Sequence, residues 1–374
     1  MRKLLLIAAL LSPVIIYAQK KGLKTYDLLV GGYGTNIAVY RFYAETGKLA
    51  YLSQSDDIKN PSYMCVDKTG KFVYAVSEQS GAGNEVSAFA LEPKTGQLTF
   101  VNKQPVKGDA ACYVSIDEDR KNIFVANYSS GSLAVLPLNK DGSILPLSQL
   151  VQGKGSGANK QRQEGPHAHG AFLSPDEKYL LHTDLGTDKI HSYRYKSSQD
   201  EPFTPASVTT VAPGSGPRHL DFSPDKKHVY VVEELTADVT VFDYDNGKLN
   251  QTQTITMLAP GFKGGVGAAD IHVSPDGRYL YASNRGDVNN IVVYSIAPET
   301  GLLTFVERKP TMGRAPRNFV IDPTGNFILI ANQDTNTVFV FKLDKATGQL
   351  RETASYIQID KPTCLKFASA QPAK

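Results

Sequence analysis

Two fixed offsets from a recurring Ser-Pro-Asp phrase collect the side chains of this sequence that could do chemistry. Five residues before the Ser position stand Ser62, Cys112, His169, Arg218, Ala269 and Arg317, with Thr363 from a partial seventh copy. Four residues after the aromatic or leucine that ends the phrase stand Glu78, Tyr128, Leu185, Glu234, Arg285 and Gln333. Most are small or neutral, so the gathering of His169, Arg218, Arg317, Glu78, Glu234 and Arg285 in these sets is informative. Guanidinium groups match carboxylate and phosphate geometry bidentately, which points to an anionic or acyl substrate. His169 or Glu234 could act as general base on a water, with the arginines holding the oxyanion that forms at a carbonyl. A structural Arg218–Glu234 salt bridge is the plainer reading, but it leaves His169, Arg285 and Arg317 unexplained.

The phrase also dictates the elements that must position these residues. Its clearest copies run from Leu173 to Leu181, Phe222 to Tyr230 and Val273 to Tyr281. Looser ones run from Val66 to Tyr74, Ile116 to Phe124 and Ile321 to Leu329. The position of Gly277 recurs as Gly70, Arg120, Glu177, Lys226, Gly277 and Gly325, at intervals of 50, 57, 49, 51 and 48 residues. Such a period marks a repeat architecture. Each copy reads as four strands, because period-2 alternation is punctuated by Gly, Asp and Asn turns. Outer-hairpin glycines at 47, 96, 142, 247, 301 and 348, with one hairpin near Ser197 to Pro202 lacking its Gly, make seven units.

The fold expected is therefore all-β, a seven-bladed β-propeller of four-stranded blades. The seventh inner strand comes from Lys361 to Leu365, so the N-terminal strands (about 26 to 55) share a blade with it and close the ring. The period exceeds that of WD40 repeats and the chain has no Trp, while the glycine doublets of kelch repeats are missing. In a propeller the first strand of each blade lines the channel and the second runs back beside it. Both residue sets then meet at one channel mouth, where converging titratable groups describe a functional site. The loop from Lys154 to Glu164, the surplus of the 57-residue interval, is expected to overhang that mouth as a mobile cover or a solvated insertion. The glycine-rich 261–267 segment holds the matching position two blades on.

Composition narrows the class. Lys and Arg total 40 against 37 Asp and Glu, a net +3 with no basic run, which argues against nucleic acid as a partner. No stretch after the first 20 residues is apolar enough to span a bilayer. Arg2 and Lys3, an apolar run to Ile16 and the small Ala18 read as a secretory signal over 1–18, leaving 19–374 as one exported domain, periplasmic or secreted. Cys65, Cys112 and Cys364 sit in strand-like segments and read as small buried residues.

Several segments carry a resemblance. Pro166-His167-Ala168-His169, Gly216-Pro217-Arg218-His219, Val232-Glu233-Glu234-Leu235, and the run from Ala268 to Gly277 with Ala282-Ser283-Asn284-Arg285 are similar to the lactonase propellers. That group includes 6-phosphogluconolactonases and fungal carboxy-muconate lactonizing enzymes. The resemblance implies a carboxylic-ester hydrolase that opens a sugar-acid lactone, with His169, Arg218, Glu234 and Arg285 as catalytic residues. Arg317, His167, His219, Glu78 and Asp270 become candidate substrate-binding groups for an anionic lactone or sugar acid. It implies no metal and no organic cofactor.

An export signal departs from the cytoplasmic members, since a phosphorylated sugar lactone is not expected outside the inner membrane. The alternatives are a muconate-type lactonizing enzyme and a non-catalytic propeller that binds an anionic ligand or partner. His167 and His169 could form half a metal site, but no third ligand stands nearby. Gly31-Gly32-Tyr33-Gly34 precedes no helical pattern, so it is a poor dinucleotide loop. The chain has no Gly-x-Ser-x-Gly elbow.

Overall fold

The computed structural model describes residues 24–368, so the signal expected at 1–18 lies outside the described residues. Seven four-stranded antiparallel sheets follow one another. We number these blades 1 to 7 in chain order. Blade 1 (25–54) takes its channel strand, Pro362–Phe367, from the far end of the chain, in the order expected. Leu28 pairs with Phe367 and Val30 with Leu365, and Ala368 N donates to Asp27 O at 2.8 Å. Among the described residues the only helical turns are Gly81–Gly83 and Gln333–Thr335, and no helix is long and apolar enough to cross a membrane.

The repeated phrase has a physical reason at each letter. Ser174 Oγ donates to Asp176 Oδ1 (2.7 Å) and accepts from Tyr179 N (3.1 Å), closing a turn that a side chain holds shut. The next residue must turn left-handed. Gly70, Arg120, Glu177, Lys226, Gly277 and Gly325 all have φ between 53° and 73°, so the position is conformational rather than chemical. The Tyr that ends the phrase is buried, but its hydroxyl still finds a partner. Tyr74, Tyr230 and Tyr281 donate to the carbonyls of Gly142, Gly301 and Gly348, each in the outer hairpin of the following blade. Those hairpin glycines have positive φ, and a Cβ at Gly348 would stand 2.4 Å from the Tyr279 ring. Phrase and hairpin thus lock one blade to the next.

Second strands such as Tyr279–Asn284 are buried along their whole length, because a neighbouring blade covers each face. Outer strands alternate, as Lys248–Thr256 does, because one face meets water. Apolar clusters fill the blade interfaces, and across the closing seam Phe42 meets Phe327 edge-on at 5.8 Å.

One feature of the channel strands positions the site. The pairing register slips at the mouth end, between Ala111 and Tyr113, Ala168 and Gly170, Pro217 and Leu220, Ala268 and Ile271, and Pro316 and Asn318. The residues thrown out of register are Cys112, His169, Arg218 with His219, Ala269 with Asp270, and Arg317. A bulge leaves its extra residue unpaired and re-aims the side chain. Here it turns what would be blade-facing positions toward the channel.

Candidate functional site

At the mouth a cavity of about 290 Å³ is lined by Glu78, Cys112, Tyr128, Arg162, His169, Glu234, Arg285 and Arg317. Two of its titratable members, His169 and Arg317, come from bulged strand starts. Glu78, Glu234 and Arg285 come from the ends of second strands, which return to the same mouth. The volume sits near the lower end of the roughly 300–1,000 Å³ that small-molecule sites occupy, enough for one sugar-sized ring. A wider hollow of about 700 Å³ lies beside Asp56, Asp57, Phe89 and Phe100, where Lys103 is already paired with Glu85 at 2.7 Å. It gathers no histidine or arginine, so the smaller cavity carries the chemistry.

Glu234 is the hub. Its Oε1 accepts from Arg162 Nη2 at 2.7 Å, and its Oε2 accepts from Arg218 Nε at 2.9 Å and faces Arg285 Nη2 at 3.1 Å. Burial by itself would raise the Glu234 pKa. The Arg285 and Arg218 guanidinium groups reverse that and hold it well below the usual carboxylate range. Glu234 is thus an ionised anchor whose two oxygens are already engaged by three arginines. His169 Nε2 stands 3.9 Å from Glu234 Oε2, and its ring lies edge-on to Tyr128 and His219. Burial, then the Arg218 charge, drive the His169 pKa well below the imidazole range, so the ring is neutral and keeps one unprotonated nitrogen.

Cys112 Sγ lies 3.9 Å from His169 Nδ1, but burial pushes the thiol pKa upward and keeps it protonated, which removes a Cys–His nucleophile. The Tyr33 hydroxyl donates to both Glu78 oxygens, at 3.0 and 3.1 Å. Burial pushes the Tyr33 phenol up to about 12. The Arg317 guanidinium lies over the Tyr33 ring at 5.5 Å and has no ion pair or hydrogen bond among the described residues. Four arginines therefore surround two glutamates, and three of the four are committed to Glu234.

Of the residues singled out in the sequence, His169, Glu234, Arg285, Arg317 and Glu78 share the cavity wall. Arg218 does not reach it: 2% exposed, it stands behind Glu234. His219 and Asp270 lie one layer deeper and pair with each other at 2.8 Å. His167 stacks flat behind Tyr128, ring centroids 4.4 Å apart, with Nδ1 against the Tyr128 carbonyl and Nε2 3.3 Å from Glu164. Its side chain therefore points away from that of His169, and among the described residues no group of three or more His, Cys, Asp or Glu side chains is disposed to hold a metal ion.

Two contributors escaped the sequence reading. Arg162 belongs to the surplus loop, which lies outside the repeated phrase and so outside both fixed offsets. Tyr33 follows the first strand of the chain, where the phrase is split between the two chain ends and no offset can be counted.

Comparison with known proteins agrees with this architecture. The family model described as Lactonase, 7-bladed beta-propeller, matches residues 27–367. A 6-phosphogluconolactonase of Bacillus subtilis is 36% identical over 90% of this chain and 97% of its own length. One of Formosa agariphila is 34% identical over 89% and 96%. Among solved structures, the periplasmic gluconolactonase of Pseudomonas aeruginosa superposes with a TM-score of 0.88 at 36% identity, covering 92% of this chain and 99% of that one.

Proposed function

The chain belongs to the seven-bladed β-propeller lactonases, and from that premise we propose that it hydrolyses a sugar-acid lactone outside the cytoplasm. The observation that carries this reading is the pairing of a neutral His169 with an uncommitted Arg317 across one sugar-sized cavity. His169 takes a proton from water as the water oxygen bonds to the lactone carbonyl carbon. Arg317, with Arg285 beside it, stabilises the oxyanion; Glu78 and Glu234 act on its charge through space, but no hydrogen bond or ion pair to a described residue has to be broken first. As the ring ester C–O bond breaks, the imidazolium returns its proton to the departing alkoxide. Lactone and water become a hydroxy acid, whose carboxylate the arginine-rich mouth accommodates. Glu234 and Arg218 act on this chemistry by position: one fixes Arg162 and Arg285, and the other fixes Glu234.

Export selects the lactone. The signal read over 1–18 favours an unphosphorylated substrate, and the relative from Pseudomonas aeruginosa, a periplasmic gluconolactonase, supports that choice. The test compares δ-gluconolactone with its 6-phosphate, each corrected for spontaneous opening, using wild type, His169→Asn and Arg317→Ala. Losing one oxyanion partner should cost about 100-fold or more in kcat. Wild-type rates equal to the buffer blank on both lactones would end the proposal. A strong preference for the phosphate ester would end its exported half.

A further inference from the structure

Beneath the mouth a hydrogen-bonded chain runs down the channel. Arg218 Nη1 approaches His219 Nε2 at 3.3 Å and also donates to the Ala269 carbonyl. His219 Nδ1 lies 2.8 Å from Asp270 Oδ1. Asp270 Oδ2 meets three other groups: the Asn318 amide, Phe319 N at 3.2 Å and His272 Nε2 at 3.1 Å. The orientation of Asn318 is itself fixed, because its Oδ1 accepts from Leu365 N at 2.7 Å and leaves its NH₂ for Asp270. Every member but His272 is at least nine-tenths buried or a backbone group.

The proton positions follow from the partners. Burial would raise the Asp270 pKa, but His272 and His219 against it hold it well below the usual range, so both oxygens only accept. Burial, then the charge of Arg218, push His219 down to about 3, so its ring is neutral and carries one proton. That proton must sit on Nδ1, facing the carboxylate. Nε2 is then left as an acceptor, the one state that suits the guanidinium beside it. The ring has no freedom to compensate by rotating. Tyr63, Tyr113, Phe172 and His169 all pack edge-on around it, with centroids 5.3–6.1 Å away.

Building on the lactonase reading, we propose that Asp270 is a positioning residue of the reaction: by fixing the His219 tautomer it aims Arg218 at Glu234 and so sets the charge geometry of the mouth. Neither Asp270 nor His219 touches substrate. The bulges at Arg218–His219 and Ala269–Asp270 each take two residues out of register, and the second of each pair, His219 and Asp270, meet in this supporting layer.

Asp270→Asn tests the mechanism. At position 270 the amide must place its oxygen toward the Asn318 and Phe319 donors, which turns its NH₂ toward His219 Nδ1. His219 then has to accept at Nδ1 and carry its proton on Nε2, against Arg218. Two-bond ¹H–¹⁵N spectra of ¹⁵N-histidine-labelled protein, with the His219 signal assigned by its loss in His219→Gln, should show Nδ1–H in wild type and Nε2–H in Asp270→Asn. Lactonase kcat/KM should fall by about 10–100-fold, by analogy with the loss of an orienting partner of a metal-bound histidine.

The decisive comparison uses His219→Gln, whose side-chain oxygen can stand where Nε2 stands and has no tautomer. In that background Asp270→Asn should change kcat/KM by no more than about 3-fold. Equal losses in both backgrounds would make Asp270 merely structural and overturn the proposal, as would Nε2–H in wild type. The spectra need no turnover, so an absence of lactonase activity would sink the proposed function and leave this inference to be judged separately. Should Asp270→Asn fail to fold, the wild-type tautomer alone still decides.

Discussion

Replacing Glu234 with Gln would leave Arg162, Arg218 and Arg285 without the carboxylate they share. Two of those cations are largely buried, and removing one partner of a buried ion pair costs about 3–5 kcal/mol because the remaining charge stays desolvated. Glu234→Gln should therefore lower the denaturant midpoint clearly. Arg162→Ala should move stability by less than about 1 kcal/mol, since that side chain is 45% exposed and its pair is screened. Urea melts of the two variants check the contrast, and similar losses would mean that Glu234 is not a hub. Its neighbour Glu233 supplies a pH test. Burial, with the Asp188 and Asp238 carboxylates nearby, pushes Glu233 up to about 8, so the folded state binds a proton that the unfolded chain has released. The sign is fixed: this contribution is complete below about pH 4.5, shrinks as pH rises, and is gone above about 8. Wild-type stability should fall from pH 5 to pH 8 more steeply than that of Glu233→Gln. Activity should behave differently, because His169 titrates below the usual imidazole range. The kcat/KM profile should already be level at pH 6.5.

The elements decide which of these residues meet, and they were unequally legible. The offsets placed Glu78, His169, Glu234, Arg285 and Arg317 correctly because strand length and turn geometry repeat with the phrase. They could not show the bulges, since an extra residue in one strand leaves no mark on a count taken within that strand. Arg218 stands at the same kind of bulge as His169 and Arg317, yet it is buried behind Glu234 and not on the cavity wall, a difference that no offset could register. Nor could they show what the surplus loop does, because it lies outside the repeated phrase. In the structure this loop is pinned rather than free. Gln163 is fully buried: its Nε2 donates to Leu185 O (2.8 Å) and Asp188 Oδ1 (2.6 Å), and its Oε1 accepts from Asn159 N at 2.8 Å. The neighbouring Arg162 reaches Glu234 from that anchor. Gln163→Ala should thus act as a positional mutation, raising KM several-fold through the loss of Arg162 order with kcat less affected. Hydrogen exchange should rise over 154–164 and stay unchanged in blades 1, 2 and 7. Unaltered exchange there would show that the loop holds itself without the buried amide.

At the scale of the whole molecule, the ring is closed by non-covalent pairing alone, and the site depends on that closure. Pro362–Phe367 supplies the channel strand of blade 1, while Thr363 Oγ1 donates to Ser62 O in the segment leading into blade 2, and Leu365 N to Asn318 Oδ1 in blade 7. Without it, Thr25–Gly32 becomes an unpaired edge and apolar faces of blades 2 and 7 meet water. Asn318 also loses the partner that orients it toward Asp270, so the mouth is disturbed from the far end of the chain. The sequence showed this closure because six complete phrases against seven hairpins left one inner strand to be found, and 361–365 resembles the leads at 60–62 and 216–218. Truncation after Asp360 should consequently abolish the cooperative melt and all lactonase activity. That loss alone would not separate closure from mere deletion of packing. A circular permutant does: joining residue 368 to residue 24 through a short flexible linker and opening the exposed turn at 198–201 keeps every strand and makes the closing pair local in sequence. This permutant should fold to an active ring and unfold more slowly in denaturant than the native chain. If the truncated chain still melts cooperatively, or the permutant unfolds no more slowly than wild type, the terminal strand is not the latch of the ring.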